Sequence, residues 1–246
     1  MDLHNRTVVV TGGASGIGLA IASRFHRAGS TVIICGRRPD VLRDAQAACP
    51  GVITHAADLS SAPARIAFRD WVLQQHPAVD VLVNNAGIQR RVSLLEDEPW
   101  ETTHAEMAIN LEAPIHLARL FIPHLRRAVR AGIVNVTSGL SFAPLANVPI
   151  YCATKAALHS FTLSLRHQLR ETAIEVVEIV PPAVDTDLGG PGLHTFGADV
   201  NEFADAVMAR LAQGELEIGY GFAEATRQAS RQELDATFAR MNAPRP

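Results

Sequence analysis

The chain is 246 residues long, 48% apolar and 19% charged, a composition that suits a globular protein with material for a sizeable core in one large domain or two small ones. A formal net charge of −3 gives no electrostatic reason to expect nucleic acid or an anionic membrane as a partner, and no apolar run approaches the ~20 residues of a membrane span. Three cysteines, Cys35, Cys49 and Cys152, form neither a CxxC pair nor a disulfide framework, and the amino terminus shows no signal-peptide layout. A reducing, cytoplasmic setting is therefore predicted. Ten histidines show no metal-ligand spacing, and no metal is expected.

From the amino terminus, residues 6–10 read as a strand and 16–28 as a helix. A strand at 31–35, a helix at 39–48, a strand at 52–55, a helix at 64–75 and a strand at 79–83 follow. A long helical pattern spans about 100–130, then a strand at 132–136. Leu158, Phe161, Leu165 and Leu169 recur at helical spacing before a strand at 174–180. Strands apolar at every position are buried on both faces, as in a parallel sheet covered by helices. The alternation predicts a single-domain, Rossmann-type doubly wound α/β fold over residues 1–246, its parallel sheet flanked by helices. Residues 185–200 collect Gly189, Gly190, Pro191, Gly192 and Gly197 after a strand's carboxyl end, and form either a plain connection or a mobile lid.

Gly12, Gly16 and Gly18, with Ser15 and Ile17 among them, follow the first predicted strand and open the first helix in a GxxxGxG spacing. Glycines there permit a tight turn and let a pyrophosphate approach the helix N-terminus. A lone glycine-rich turn is a weak signal, but in the first βα turn of an α/β chain it points to a dinucleotide. The second strand ends at Arg37 and Arg38 with no acid at 34–38. An acid in that place holds the ribose 2′-hydroxyl of NAD, whereas arginine accommodates the 2′-phosphate of NADP. NADP(H) is the preferred cofactor on this reading, and NAD(H) the alternative. Asp58 and Leu59 follow the third strand, where a carboxylate either meets an adenine amino group or caps the next helix. Asn85, Ala86 and Gly87 follow the fourth strand and either line the cofactor or form a turn.

Of 22 lysine and arginine residues only Lys155 is a lysine, and it stands four residues after Tyr151, one of two tyrosines. At helical spacing the two share a face. A positive charge about 4 Å away is worth about 4 kcal/mol at an effective dielectric near 20, or up to about three units of depression of a phenol's pKa before burial takes some back. Such a phenol exchanges protons near neutral pH. Ser138 ends the fifth predicted strand, 13 residues upstream, so Ser138 and Tyr151 can grip one carbonyl oxygen.

Residues 11–18 and 84–87, Asn110, Ser138 and the Tyr151–Lys155 pair together resemble the short-chain dehydrogenase/reductase family, in order and over essentially the whole chain. Residues 85–90 and 151–169 look like its DltE-type oxidoreductases, a subgroup that names no substrate. The resemblance implies hydride transfer between nicotinamide C4 and a small-molecule carbonyl or alcohol carbon. Tyr151 would be general acid/base, Ser138 would orient the substrate oxygen, Lys155 would lower the tyrosine pKa and hold the nicotinamide ribose, and Asn110 would support a proton-relay water. Pro181, Val184 and Thr186 would lie near the nicotinamide carboxamide. The helices near 110–130 and 153–171 would pair the chain into a homodimer or homotetramer. One departure is Pro181-Pro182, where the family usually has proline and glycine; the second proline removes a backbone donor and stiffens the turn. Two rival readings stand: an NADP(H)-binding sensor or scaffold without turnover, and a 3-oxoacyl-thioester reductase that meets its carrier through Arg90, Arg91, Arg126, Arg127 and Arg130. Gly139, Leu140, Phe142, Val148, Ile150, Val184 and the 185–200 loop are expected to line a mostly apolar pocket.

Overall fold

The computed structural model describes residues 1–244. β1 (Thr7–Thr11), β2 (Thr31–Gly36), β3 (Ile53–Ala56), β4 (Val81–Asn84), β5 (Ala131–Val136), β6 (Ile174–Val180) and β7 (Glu217–Gly219) form one parallel sheet in the order β3-β2-β1-β4-β5-β6-β7. The apolar strands alternate between two covered faces, as period-two side chains must. Val8, Val10, Val32 and Ile34 pack against α1 (Gly16–Arg27), α2 (Pro39–Ala48) and α7 (Val200–Ala212), through Ile21, Phe25, Leu42, Phe203 and Leu211. On the other face, Val9, Ile33, Leu82 and Ile133 meet α3 (Ala62–Gln75), α5 (Ala113–Leu125) and α6 (Pro149–Leu169), through Phe68, Leu117, Phe121 and Leu165. Each fully buried phenylalanine contributes about 1.5–3 kcal/mol relative to exposure.

The structure departs from the sequence reading at the long helix, and adds elements after residue 180, where that reading assigned no helix or strand. The long helix expected at 100–130 is three pieces: α4 (Trp100–Met107), a π-helical turn at Ala108–Glu112, and α5. Pro114 is the local cause we identify, because it has no N–H to give the carbonyl four residues earlier, that of Asn110. Among the added elements, β7 extends the sheet by three residues that show no strand periodicity; Glu217 and Gly219 flank one apolar side chain, Ile218. Beyond it lie α8 (Phe222–Gln228) and α9 (Arg231–Met241), the latter opened by a capping box between Ser230 and Glu233. Among the described residues no helix is long and apolar enough to cross a membrane.

Candidate active site

The connections from β1 and β4 run to opposite faces of the sheet, and the crevice between their carboxyl ends is where such sheets take ligands. The glycine turn lies there. Gly12 has φ +61, and a Cβ on it would stand 2.8 Å from Ala86 Cα; at Gly18 it would stand 2.2 Å from the Gly12 carbonyl oxygen. Asn85 Nδ2 donates to the carbonyls of Thr11 and Gly12 at 3.0 and 3.2 Å, and Thr11 Oγ1 accepts the N–H of both Asn85 and Ala86 at 3.0 Å. Turn and β4 exit are thus laced together through the space that side chains would otherwise fill. α1 begins after Ser15, whose side chain caps nothing, and no acid lies in its first turn. Its free N–H groups and positive dipole end suit an anion, and this backbone-lined cradle fits a pyrophosphate. Thr186 closes over the same turn, its methyl 3.2 Å from a Cβ placed on Gly16.

Beyond β2, Arg37 and Arg38 are exposed, Arg38 as the N-cap of α2. Asp58 accepts from the Ser60 N–H and hydroxyl at 3.0 and 2.8 Å, and these bonds, with the nearby Arg37 guanidinium, hold its carboxyl below the usual range. Ser61 caps α3, so Asp58 is not the helix cap. Leu59 packs its side chain into the core, which leaves only main-chain groups for a ligand.

Tyr151, Lys155, Ser138 and Asn110 are all buried and come together at the carboxyl ends of β4 and β5. α6 starts at Pro149 and carries both Tyr151 and Lys155, one turn apart. The ammonium of Lys155 donates to the Val136 carbonyl at 2.8 Å and lies 5.7 Å from the Tyr151 ring centroid. A Cβ on Gly87 would meet Asn110 Oδ1 at 3.4 Å and Lys155 Nζ at 3.6 Å, so that glycine leaves room for both. From the π turn, Asn110 exchanges two 2.8 Å hydrogen bonds with the backbone of Ile88 and donates to Thr154 Oγ1 at 3.3 Å. A widened turn is a recurrent device at functional sites, and here it brings an amide between the β4 exit and α6. Ser138 stands two residues past β5 and accepts from the Leu140 N–H at 3.1 Å.

The electrostatics differ from the simple pairwise expectation. Burial pushes the Tyr151 phenol up to about 12, opposed by hydrogen bonding with Ser138. Burial also brings Lys155 down to about 8. The phenol is thus raised where the sequence reading expected it depressed, because the loss of water is the largest influence on both groups. Sequence reasoning also missed Glu106, fully buried one helical turn before Asn110. Neither of its oxygens reaches a hydrogen bond of good geometry, and burial pushes the carboxyl up to about 7 while the backbone and guanidinium of Arg90 pull it back. When ionised it drives the Tyr151 phenol further up. No local pattern marked it, because three of its four neighbours at helical spacing, Thr102, Thr103 and Asn110, are polar as well.

Val148, Tyr151 and Cys152 form a small apolar cluster with Leu140, Leu145 and Leu188; the expected lining gains Leu145, while Leu188 comes from the 185–200 loop. Phe142 stands edge-on to His159, at 4.7 Å. The base of the 185–200 loop is tied down by hydrogen bonds between Asp185 and Ala198 and between Ala198 and Ala183, both 2.9 Å, beside the bridge from Val184 to Ala198. Its tip carries the exposed Phe196. At the Pro181-Pro182 departure, the Pro181 carbonyl accepts the Gly139 N–H at 2.8 Å and binds the β6 exit to the turn after Ser138.

A doubly wound sheet with a glycine cradle at its switch point and a buried Tyr–Lys pair beside it has the architecture of an NAD(P)-dependent oxidoreductase. The family model for short chain dehydrogenases matches residues 6–193, and the chain belongs to that family. It is 44% identical to the uncharacterized oxidoreductase DltE of Bacillus subtilis strain 168, over 98% of both chains. Among solved structures, a short-chain dehydrogenase of Burkholderia cenocepacia in complex with NADP superposes with a TM-score of 0.84 at 27% identity, covering 99% of this chain and 100% of that one. A short-chain dehydrogenase of Sphingobium yanoikuyae in complex with NADPH gives 0.79 at 27% identity, covering 94% and 91%. The protein is an oxidoreductase of this family, with a nicotinamide cofactor.

Proposed function

We propose that the chain is one catalytic domain that prefers NADP(H) and interconverts a carbonyl and an alcohol, with Tyr151 as general acid/base. The observation that carries the reading is the buried Tyr151–Lys155 pair beside Ser138 and Asn110. Gly12, Ser15, Gly16, Ile17 and Gly18 would hold the pyrophosphate, and Arg37 with Arg38 the 2′-phosphate. Asp58 and the Leu59 backbone would border the adenine; Asn85, Ala86 and Gly87, with Pro181, Val184 and Thr186, would flank the ribose and nicotinamide. When bound, the nicotinamide supplies or takes the hydride.

Ser138 orients the substrate oxygen, and Tyr151 gives that oxygen a proton in reduction or removes it in oxidation. Lys155 holds positive charge beside the phenol and favours its ionised form against burial, while Asn110 keeps the β4 exit and α6 in register. The apolar cluster around Leu140, Leu145 and Leu188 favours a medium-sized, partly hydrophobic substrate. For the thioester alternative, Arg90 is committed to the Thr102 carbonyl and Arg130 to Asp2, His4 and Asn5, which weakens the case for a carrier entrance. NADPH oxidation followed across ketones and aldehydes tests the proposal. Nucleotide binding without turnover of any of them, in either direction, would favour the sensor reading instead.

A further inference from the structure

Three consecutive residues, the last two of β5 and the one that follows, are linked to one face of α6, the third by way of Glu178 on β6. Asn135 Nδ2 donates to Thr162 Oγ1 at 2.9 Å, and the Val136 carbonyl accepts Lys155 Nζ at 2.8 Å. Thr137 Oγ1 donates to Glu178 Oε1 at 2.6 Å, and the two oxygens of Glu178 lie 3.0 and 2.8 Å from His159 Nδ1. Lys155, His159 and Thr162 are spaced i, i+4 and i+7, which places them on one side of the helix.

Glu178 is 1% exposed on β6, in the interior of the sheet. A carboxylate there is costly unless it is paired, and apolar side chains of similar volume would bind α6 to the sheet at least as well. Stability therefore does not account for it. Dispersion contacts are non-directional and let a helix slide by fractions of an ångström; a carboxylate bridging an imidazole and a hydroxyl does not. The pairing also raises the His159 pKa above its ordinary value, the Glu178 hydrogen bond being the main cause, with Glu217 and Arg166 the other charges nearby. Phe142, just past the turn that follows Ser138, leans on the same ring at 4.7 Å.

We infer that His159 and Glu178 form a charged anchor that sets the register of the Lys155 turn of α6 on the end of β5, and so are positioning residues for the Tyr151–Lys155 pair. The inference rests on the functional reading above for its catalytic meaning, but not for its test. Protein grown with lysine carrying 13C at Cε gives a single lysine resonance, because Lys155 is the only lysine. Its pH titration reports how deeply the ammonium sits. Glu178→Gln removes a negative charge, which alone would lower the Lys155 midpoint, and His159→Gln a positive one, which alone would raise it; relaxed burial should raise the midpoint by about one unit in both, and both should lower kcat more than they change KM.

Arg166→Ala is the control: Arg166 clamps the far end of α6 to the Val176 carbonyl and Glu217, so its loss should lower Tm and leave the midpoint in place. Midpoints equal to the wild type's in both anchor variants, with only Tm reduced, overturn the inference and leave the pair a stability element. If Glu178→Gln fails to fold, the double variant H159Q/E178Q, which removes one charge of each sign, decides in its place by the same midpoint. No substrate is needed for the titration, so a wild type without turnover would sink the functional reading while the anchor stands or falls separately.

Discussion

Lys155 donates to the carbonyl oxygen of Val136 at 2.8 Å, and this backbone contact, made from one turn beyond Tyr151, fixes the only lysine of the chain beside the phenol. A point donor fits that contact, whereas a guanidinium fork is larger and planar. Tyr151→Phe should abolish turnover and leave nucleotide affinity nearly intact. Lys155→Arg should lose most activity despite keeping the charge, and Lys155→Ala should move the phenol's ionisation in the pH–rate profile further up. An active Lys155→Arg enzyme with an unchanged profile would count against the assignment.

Cofactor choice tests Arg37, which stands exposed past β2 with its charge felt at Asp58. NADP(H) should bind at least about tenfold tighter than NAD(H), since one charge-assisted contact supplies about 1.5–3 kcal/mol. In calorimetry, Arg37→Ala should erase the difference. Equal affinities in the wild type end the argument.

Glu106 makes stability depend on pH. Its folded pKa of about 7 lies above the ordinary 4.5, so between those values the folded chain keeps a proton that the unfolded chain releases, and stability falls as pH rises through that window. Above it the full cost of the buried anion remains, about 1–3 kcal/mol after relaxation. Glu106→Gln should therefore gain in Tm relative to wild type at pH about 8 compared with pH about 5. A constant difference across that range removes the buried-anion explanation.

The cradle predicts unequal glycines. Gly18→Ala puts a methyl 2.2 Å from a carbonyl oxygen of the backbone and should cost about 1–3 kcal/mol and most nucleotide binding. At Gly36 the nearest atom to an added Cβ is 3.7 Å away, so Gly36→Ala should change stability by less than about 0.5 kcal/mol. Denaturant titration of both variants separates shape from general intolerance.

Assembly as a homodimer or homotetramer is expected from α5 and α6, where Leu163 is exposed and Leu120 and Ile122 are only partly covered. Sedimentation at micromolar concentration should give a species at least twice the 26.4 kDa chain mass; a monomer alone rejects it.

The sequence by itself determined the parallel α/β layering and the position of the glycine turn. Strands such as β2 are apolar at every position from Val32 to Cys35, and Gly12 and Gly18 stand where the chain leaves the first strand. It also identified Tyr151 and Lys155, because a lone lysine at helical spacing from a tyrosine is a compositional signal. Tertiary structure decided the rest. β7 is a strand only because β6 offers it a hydrogen-bonding edge, and the helix at 100–130 breaks where Pro114 withholds a donor from the carbonyl of Asn110. Whether attraction or lost hydration governs the Tyr151 phenol depends on how deeply both partners are buried, and Glu106 acquires its raised pKa only once helix and loop close over it. His159 and Glu178 are 19 residues apart and meet because α6 crosses β6. Local periodicity carries information about which faces are apolar; it carries none about which polar groups from separate elements share one volume of low dielectric, and that sharing sets the chemistry of this site.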